Sequence, residues 1–247
     1  MFVTLHTGLR TSPSKCSVRV SAPPNAKIYV TRNKANMLPQ AHAATTFEQF
    51  LDFNIRKGTV VNLMFEHRLF GLVDILRKIA VPLSLQDVPH ELVGDLALLL
   101  HVEEKDPAQS MLTRDVDLMI RRPDLSQVIE IAVNAGFRFR HAAGVDMLLF
   151  GESGTANAVH LLFSGEKVRP AQATPNPDIA PVRKLVHGEA FAVIPLSDLL
   201  RMKLSSWRLK DQVHVQVMDA TGLITAEIQA SLPPELQQRL QYVRETE

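Results

Sequence analysis

Residues 110–120 read SMLTRDVDLMI, an apolar run with two aspartates set into it. Asp115 and Asp117 are separated by one residue, and Val116, Leu118 and Ile120 interleave with them. Successive side chains of a strand point to opposite faces, so this alternation predicts both carboxylates on one face and the three apolar residues on the other. Two like charges side by side repel, and neither helps a sheet to pack. A divalent cation held between them compensates. A solvated strand face carrying two incidental acids fits the same eleven residues, and a bare D-x-D leaves both readings open.

The rest of the chain narrows the choice of class. With 247 residues, 46% hydrophobic and 21% charged, the composition is that of a globular protein with ample length for a core. No run of eighteen apolar residues occurs, so no membrane span is expected. The single cysteine, Cys16, makes no internal disulfide and rules out a thiolate-rich zinc site, which points to a reducing, cytoplasmic setting. Nine histidines are present, none at metalloprotease spacing; His101 reads as a packed or surface residue.

Charge is uneven along the chain. Arg10, Lys15, Arg19, Lys27, Arg32 and Lys34 all precede the first acid, Glu48. Taking those six from 27 basic residues leaves 21 against 26 acidic, a net of −5 for the body. A broad nucleic-acid-binding surface is therefore not expected. Residues 1–45 read as a poorly ordered basic extension, a transit-like segment, or sequence upstream of the true start, with no part in the chemistry.

Outward from the aspartates, TTFEQFLDFNIRKG (45–58) carries a capping-box pattern, Thr45 with Glu48, and ends on Gly58. Phe65, Leu69, Leu72, Leu76 and Ile79 form the stripe of a longer helix, expected to stop at Pro82. HELVGDLALLLHVEEKD (90–106) reads as a short strand, a turn at Gly94 and a helix from Asp95. RPDLSQVIEIAVNAGF (122–137) is a helix capped by Asp124 and ended by Gly136. Three strands follow in FRFRH, VDMLLF and AVHLLFSG, then a proline-bearing loop over 166–181, then RKLVHGEAFAVIP (183–195) as a hairpin. PLSDLLRMKLSSWRLKD (195–211) reads as a helix with Ser197 at its cap, and PPELQQRLQYVRETE as a final helix. The fold class is α+β: a small mixed β-sheet flanked by helices, with a helical C-terminal segment.

A strand ending in glycine, a helix, a D-x-D strand, a helix ending in AGF and further strands resemble, in that order, the polymerase-beta-like nucleotidyltransferases. The similarity is greatest to their small bacterial branch of uncharacterised and toxin–antitoxin-associated members. It covers roughly residues 64–216, and VGDLALLLH, TRDVDLMI, AGFRFR and IPLSDLLRMKLSSWRLKD carry it. The resemblance implies that Asp115 and Asp117 bind two Mg2+ ions and position a nucleoside triphosphate (NTP). It implies a third acid on a neighbouring strand to activate an acceptor hydroxyl, a phosphate-binding turn at Gly94, and Lys203 near the phosphates. Two residues depart from the pattern. Asp95 puts an anion in the phosphate turn, where it reads either as a helix N-cap or as a group that repels its ligand. His160 stands where the third acid is expected. A neutral histidine can accept a proton but binds magnesium poorly. Asp146 is the substitute, or else a strand-end surface acid. Lys203 itself reads either as a phosphate ligand or as part of a solvated helix face, and Arg114 as an outward-facing or acid-paired residue.

These readings divide the chain into a basic extension (1–45), a nucleotidyltransferase-like α+β domain with its preceding helices (46–195) and a helical segment packed on it (196–247). The expected function is Mg2+-dependent transfer of NMP from an NTP to a hydroxyl of a protein, an RNA or a small molecule. The alternative is a catalytically degenerate binding module of the same fold, antitoxin-like or engaged with a protein partner. A glycosyltransferase reading of the D-x-D is weaker, because the chain lacks the opening βαβ succession of a nucleotide-sugar fold.

Overall fold

The structure, a computed structural model, describes residues 68–106, 113, 115–151, 158–179, 189 and 191–246, all within the compact unit Leu51–Glu247. The basic extension, the capping-box helix over 45–58, Arg114 and the hairpin tip near His187 lie outside the described residues. Among those described, no helix is long and apolar enough to cross a membrane.

Helix α1 is described over 68–85, with Leu72, Leu76 and Ile79 buried as their spacing predicts. It does not stop at Pro82. Leu83 continues the stripe and is fully buried, so packing carries the helix one turn past the missing N–H. Strand β1 (His90–Val93) runs directly into α2 (Gly94–Lys105), and β2 (Val116–Ile120) follows. A single 3-10 turn at Arg122–Asp124 leads into α3 (Leu125–Asn134). Asp124 makes no side-chain cap there; its carboxylate accepts from Arg121 Nε at 2.7 Å. Gly136, at φ +88°, ends the helix as expected.

Strands β3 (Phe137–Ala142) and β4 (Val145–Phe150) form a hairpin whose two turn residues, Ala143 and Gly144, both have positive φ. Strand β5 (Ala158–Phe163) and the two-residue β6 (Ala192–Val193) complete a six-stranded mixed sheet in the order β3-β4-β5-β2-β1-β6. Strand β2 is parallel to β5 and antiparallel to β1, and β6 lies parallel to β1.

The segment expected as one helix from Ser197 is two. Helix α4 (Leu196–Ser206) has Pro195 at its N-cap, and Trp207 ends it in the left-handed region at φ +55° before α5 (Leu209–Ala220) begins. Helices α6 (Ala226–Ala230) and α7 (Pro234–Glu245) follow, and α7 packs against α4 and α5.

The register fixes what each sheet face presents, because directly paired residues share a face. Leu118 pairs with Leu92 on one side and Leu161 on the other, and Leu161 pairs with Asp146. That face carries the main core, which includes Val128, Ile131 and Ala132 of α3. The opposite face presents Asp117, paired with Val93 and with His160, which in turn pairs with Met147.

Candidate functional site

Asp117 sits at the centre of the sheet, where β1 hands over to α2. Gly94, the first residue of α2, has φ +72°, a conformation costly for a residue with a Cβ. A Cβ at Gly94 would also drive into the Asp117 carboxylate, approaching its Cγ to 2.8 Å. The glycine therefore serves two purposes, a left-handed turn and close approach of the aspartate. Asp115 lies just ahead of β2, and its backbone carbonyl accepts from Thr113 Oγ1 at 3.3 Å.

His160 Nδ1 lies 3.1 Å from Asp117 Oδ1, within hydrogen-bond reach across the parallel pair β2–β5. That hydrogen bond raises the imidazole pKa against the opposing effect of burial, and the charges of Asp117 and Asp115 add to the rise. Asp146 lines the same cleft but is not set beside Asp117. It is paired with Leu161 and so belongs to the other face, where Arg122 Nη1 (3.2 Å) and His141 Nδ1 (2.6 Å) take its two oxygens. Arg122 also holds Glu166 through Nε and Nη2, and stacks 3.2 Å from the Phe163 ring centroid. The Asp146 oxygens are thus committed to Arg122 and His141, and His160 is the residue that the neighbouring strand sets beside Asp117.

Asp95 is not a helix cap. Val93 is the N-cap of α2 and makes no side-chain bond, and the Asp95 carboxylate turns instead to α4 and α5. Lys203 pairs with its Oδ1 and Lys210 with its Oδ2. His214 Nδ1 is 3.4 Å from Asp95 Oδ1 and accepts from Lys203 Nζ at 3.0 Å. Lys203 Nζ is also 3.6 Å from Asp211, which is fully buried and receives the Arg208 guanidinium through Nε (2.6 Å) and Nη2 (3.0 Å).

Burial alone would raise the Asp95 carboxyl. The charge and hydrogen bond of Lys203, with smaller help from Lys210 and His214, reverse this and hold it at about 2. His214 goes the other way: burial, then the Lys203 charge, push it down to about 4 against the pull of Asp95 and Asp211. Lys203 is therefore not on a solvated face: its side chain is 4% exposed and is committed to Asp95 and Asp211 at the wall of the cleft.

These groups line one cleft of about 670 Å³, which Gly94, Asp115, Asp117, His160, Arg208 and Lys210 enter from the sheet and helices. The loop after β5 contributes Glu166, Lys167 and Arg169. Magnesium is bound by hard oxygens, commonly one or two carboxylates completed by phosphate and water. Asp115 and Asp117 fit one such ion on that pattern. Among the described residues, no group of three His, Cys, Asp or Glu side chains forms a metal-holding cluster by itself. The nitrogen of His160 suits magnesium poorly.

Sequence reasoning missed Arg208, Asp211 and His214. The signal was their i, i+3, i+6 spacing, which puts all three on the helix flank that also buries Val215 and Met218. Polar groups on a buried stripe need partners.

No protein-family model matches the chain, and no curated protein matches it in sequence. Among solved structures it is similar to the antibiotic-resistance factor ANT(2'')-Ia in solution, at 10% identity and TM-score 0.38 over 70% of this chain and 83% of that one. It is also similar to ANT(2'')-Ia in complex with adenylyl-2''-tobramycin, at 12% identity and TM-score 0.44 over 70% of this chain and 97% of that one. A third likeness is to Megavirus polyadenylate synthase, at 12% identity and TM-score 0.44 over 79% of this chain and 41% of that one.

Proposed function

We propose that the cleft binds an NTP and directs transfer of its NMP to a hydroxyl of an acceptor. One observation carries the reading: the first turn of a helix, opened by Gly94, is packed against the carboxylate of a D-x-D strand inside a cleft large enough for a nucleotide. Backbone N–H groups at such a helix start favour phosphate. Asp115 and Asp117 are the residues that would hold Mg2+, which when bound neutralises phosphate charge. Gly94 keeps the approach to Asp117 clear, and His160 orients that carboxylate through its ring N–H. The acceptor is a protein, an RNA or a small molecule, and the single cysteine supports a cytoplasmic setting.

A second reading, a binding module of the same fold that has lost transfer and serves a protein partner, is favoured by one specific feature. The strand position beside Asp117 holds His160, and the acid of β4, Asp146, has its oxygens taken by Arg122 and His141. Incubation with labelled NTPs and Mg2+ tests the first reading, with label expected on the protein or on an added hydroxyl acceptor. The companion variant His160→Asp separates the two: a gain of transfer supports a site that lost its third acid. Nucleotide binding without transfer in both proteins supports the binding module.

A further inference from the structure

Lys203 and Lys210 take separate oxygens of the same carboxylate, and they differ in what surrounds them. Lys203 is enclosed by Asp95, Asp211 and His214. Lys210 is 54% exposed, reaches Asp95 from the cleft side, and is followed at once by Asp211, on which the half-exposed Arg208 is anchored. We propose that Lys210 and Arg208 form the phosphate-binding pair of this cleft, and that Asp95 stands in for a phosphate, holding Lys210 in place until a polyphosphate takes it over. The inference rests on the nucleotide reading above and deepens it by moving phosphate contact from Lys203 to these two residues.

Two physical arguments support the exchange. The ion-paired group itself contains three cations (Lys203, Arg208, Lys210) against two carboxylates (Asp95, Asp211), an excess of one positive charge that faces Asp115 and Asp117 across the same cleft. Releasing Lys210 also leaves Asp95 paired through its other oxygen to Lys203. No buried charge is stranded, so the exchange avoids the large cost of breaking a buried pair. A polyphosphate presents more charge and more acceptor oxygens than one carboxylate, which favours it as the partner of an exposed lysine and a guanidinium. Arg208 is placed to share it, since it is half exposed and lines the same cleft as Lys210.

The test is calorimetric binding of inorganic tripolyphosphate without magnesium, and of ATP with Mg2+, to the full chain and to Lys210→Gln, Asp95→Asn and Asp117→Asn. Lys210→Gln is expected to weaken tripolyphosphate binding roughly tenfold, and Asp95→Asn to tighten it roughly five- to tenfold. Asp117→Asn is expected to abolish the magnesium dependence of ATP binding without weakening tripolyphosphate. Lys210 is exposed, so its variant remains decisive even if Asp95→Asn folds poorly. Tripolyphosphate affinity unchanged in Lys210→Gln, or absent from every protein, overturns the proposal. Magnesium-dependent ATP binding that ignores residues 95 and 210 overturns it while leaving the nucleotide reading intact. Tripolyphosphate exchange in proteins that never bind ATP upholds it and removes that reading.

Discussion

His160 and His214 each lie beside an aspartate of the same cleft, yet they titrate in opposite directions. His160 is on the open sheet face, where a direct hydrogen bond from its ring to Asp117 outweighs partial burial and favours the cation. His214 is buried on the inner side of α5 with Lys203 against its Nδ1, and burial together with that neighbouring ammonium keeps the ring neutral. Proximity to a carboxylate therefore does not decide the protonation state of a histidine here. The presence of a competing cation and the loss of water do. The cleft thus has an open half around Asp117 and an enclosed half around Lys203, with the exposed Lys210 at the edge of the enclosed half.

The comparison breaks most severely if Lys203 is removed. Lys203→Met should destabilise the fold by about 3–5 kcal/mol in urea denaturation, because Asp95 and Asp211 stay behind with their buried partner gone. A loss no larger than that of an exposed lysine would show that the inner network is solvated.

The His214 contribution has a definite sign. Its folded value, about 4, lies below the ordinary value of about 6.5, so the unfolded chain binds more protons between the two. Stability should be full above about pH 6.5 and fall by on the order of 3 kcal/mol as the pH drops to about 4. His214→Asn should flatten that slope in melting curves across the range. An unchanged slope would place the acid sensitivity elsewhere.

Gly94→Ala sharpens the contrast from the other side. A left-handed alanine pressed on the Asp117 carboxylate should cost roughly 2 kcal/mol. It should also bring the His160 titration, read by NMR, back towards its ordinary value while His214 stays low. Equal movement of both histidines would mean that the two halves of the cleft are not separable.

The smallest expected effect belongs to His160. Its raised value means that its contribution is full below about pH 6.5 and is lost as pH rises through the folded value. Partial exposure keeps this under about 1 kcal/mol. Against the matched variant His160→Asn, the melting temperature of the native chain should fall slightly on going from pH 6 to 9; a rise would contradict the assigned direction.

Local pattern made much of the fold legible. The alternation around Asp115 and Asp117, the glycine at 94, the stripe of α1 and the glycine ending α3 are each written within a few residues. The site was legible only where it is equally local. Whether Asp146 or His160 meets Asp117 depends on the pairing of β4 with β5 and β5 with β2, and a one-residue difference in register exchanges the faces. The cap assigned to Asp95 fails for a similar reason: its partner Lys203 is 108 residues away, and an ion pair at that separation leaves no local trace. The break at Trp207 had no glycine or proline to announce it. It places Arg208 and Lys210 at the start of a new helix, and so puts them at the cleft.

The most direct measurement is thermal melting of the full chain with each NTP, with and without Mg2+, beside the variant Asp117→Asn. An NTP at about 100 times its dissociation constant should add ~2.7 kcal/mol to the stability of the native chain. That gain should require magnesium and vanish in Asp117→Asn, whose own fold should persist because the residue lies on the open sheet face. No stabilisation by any NTP, or a response of equal size in Asp117→Asn, would contradict a nucleotide site built on the D-x-D strand.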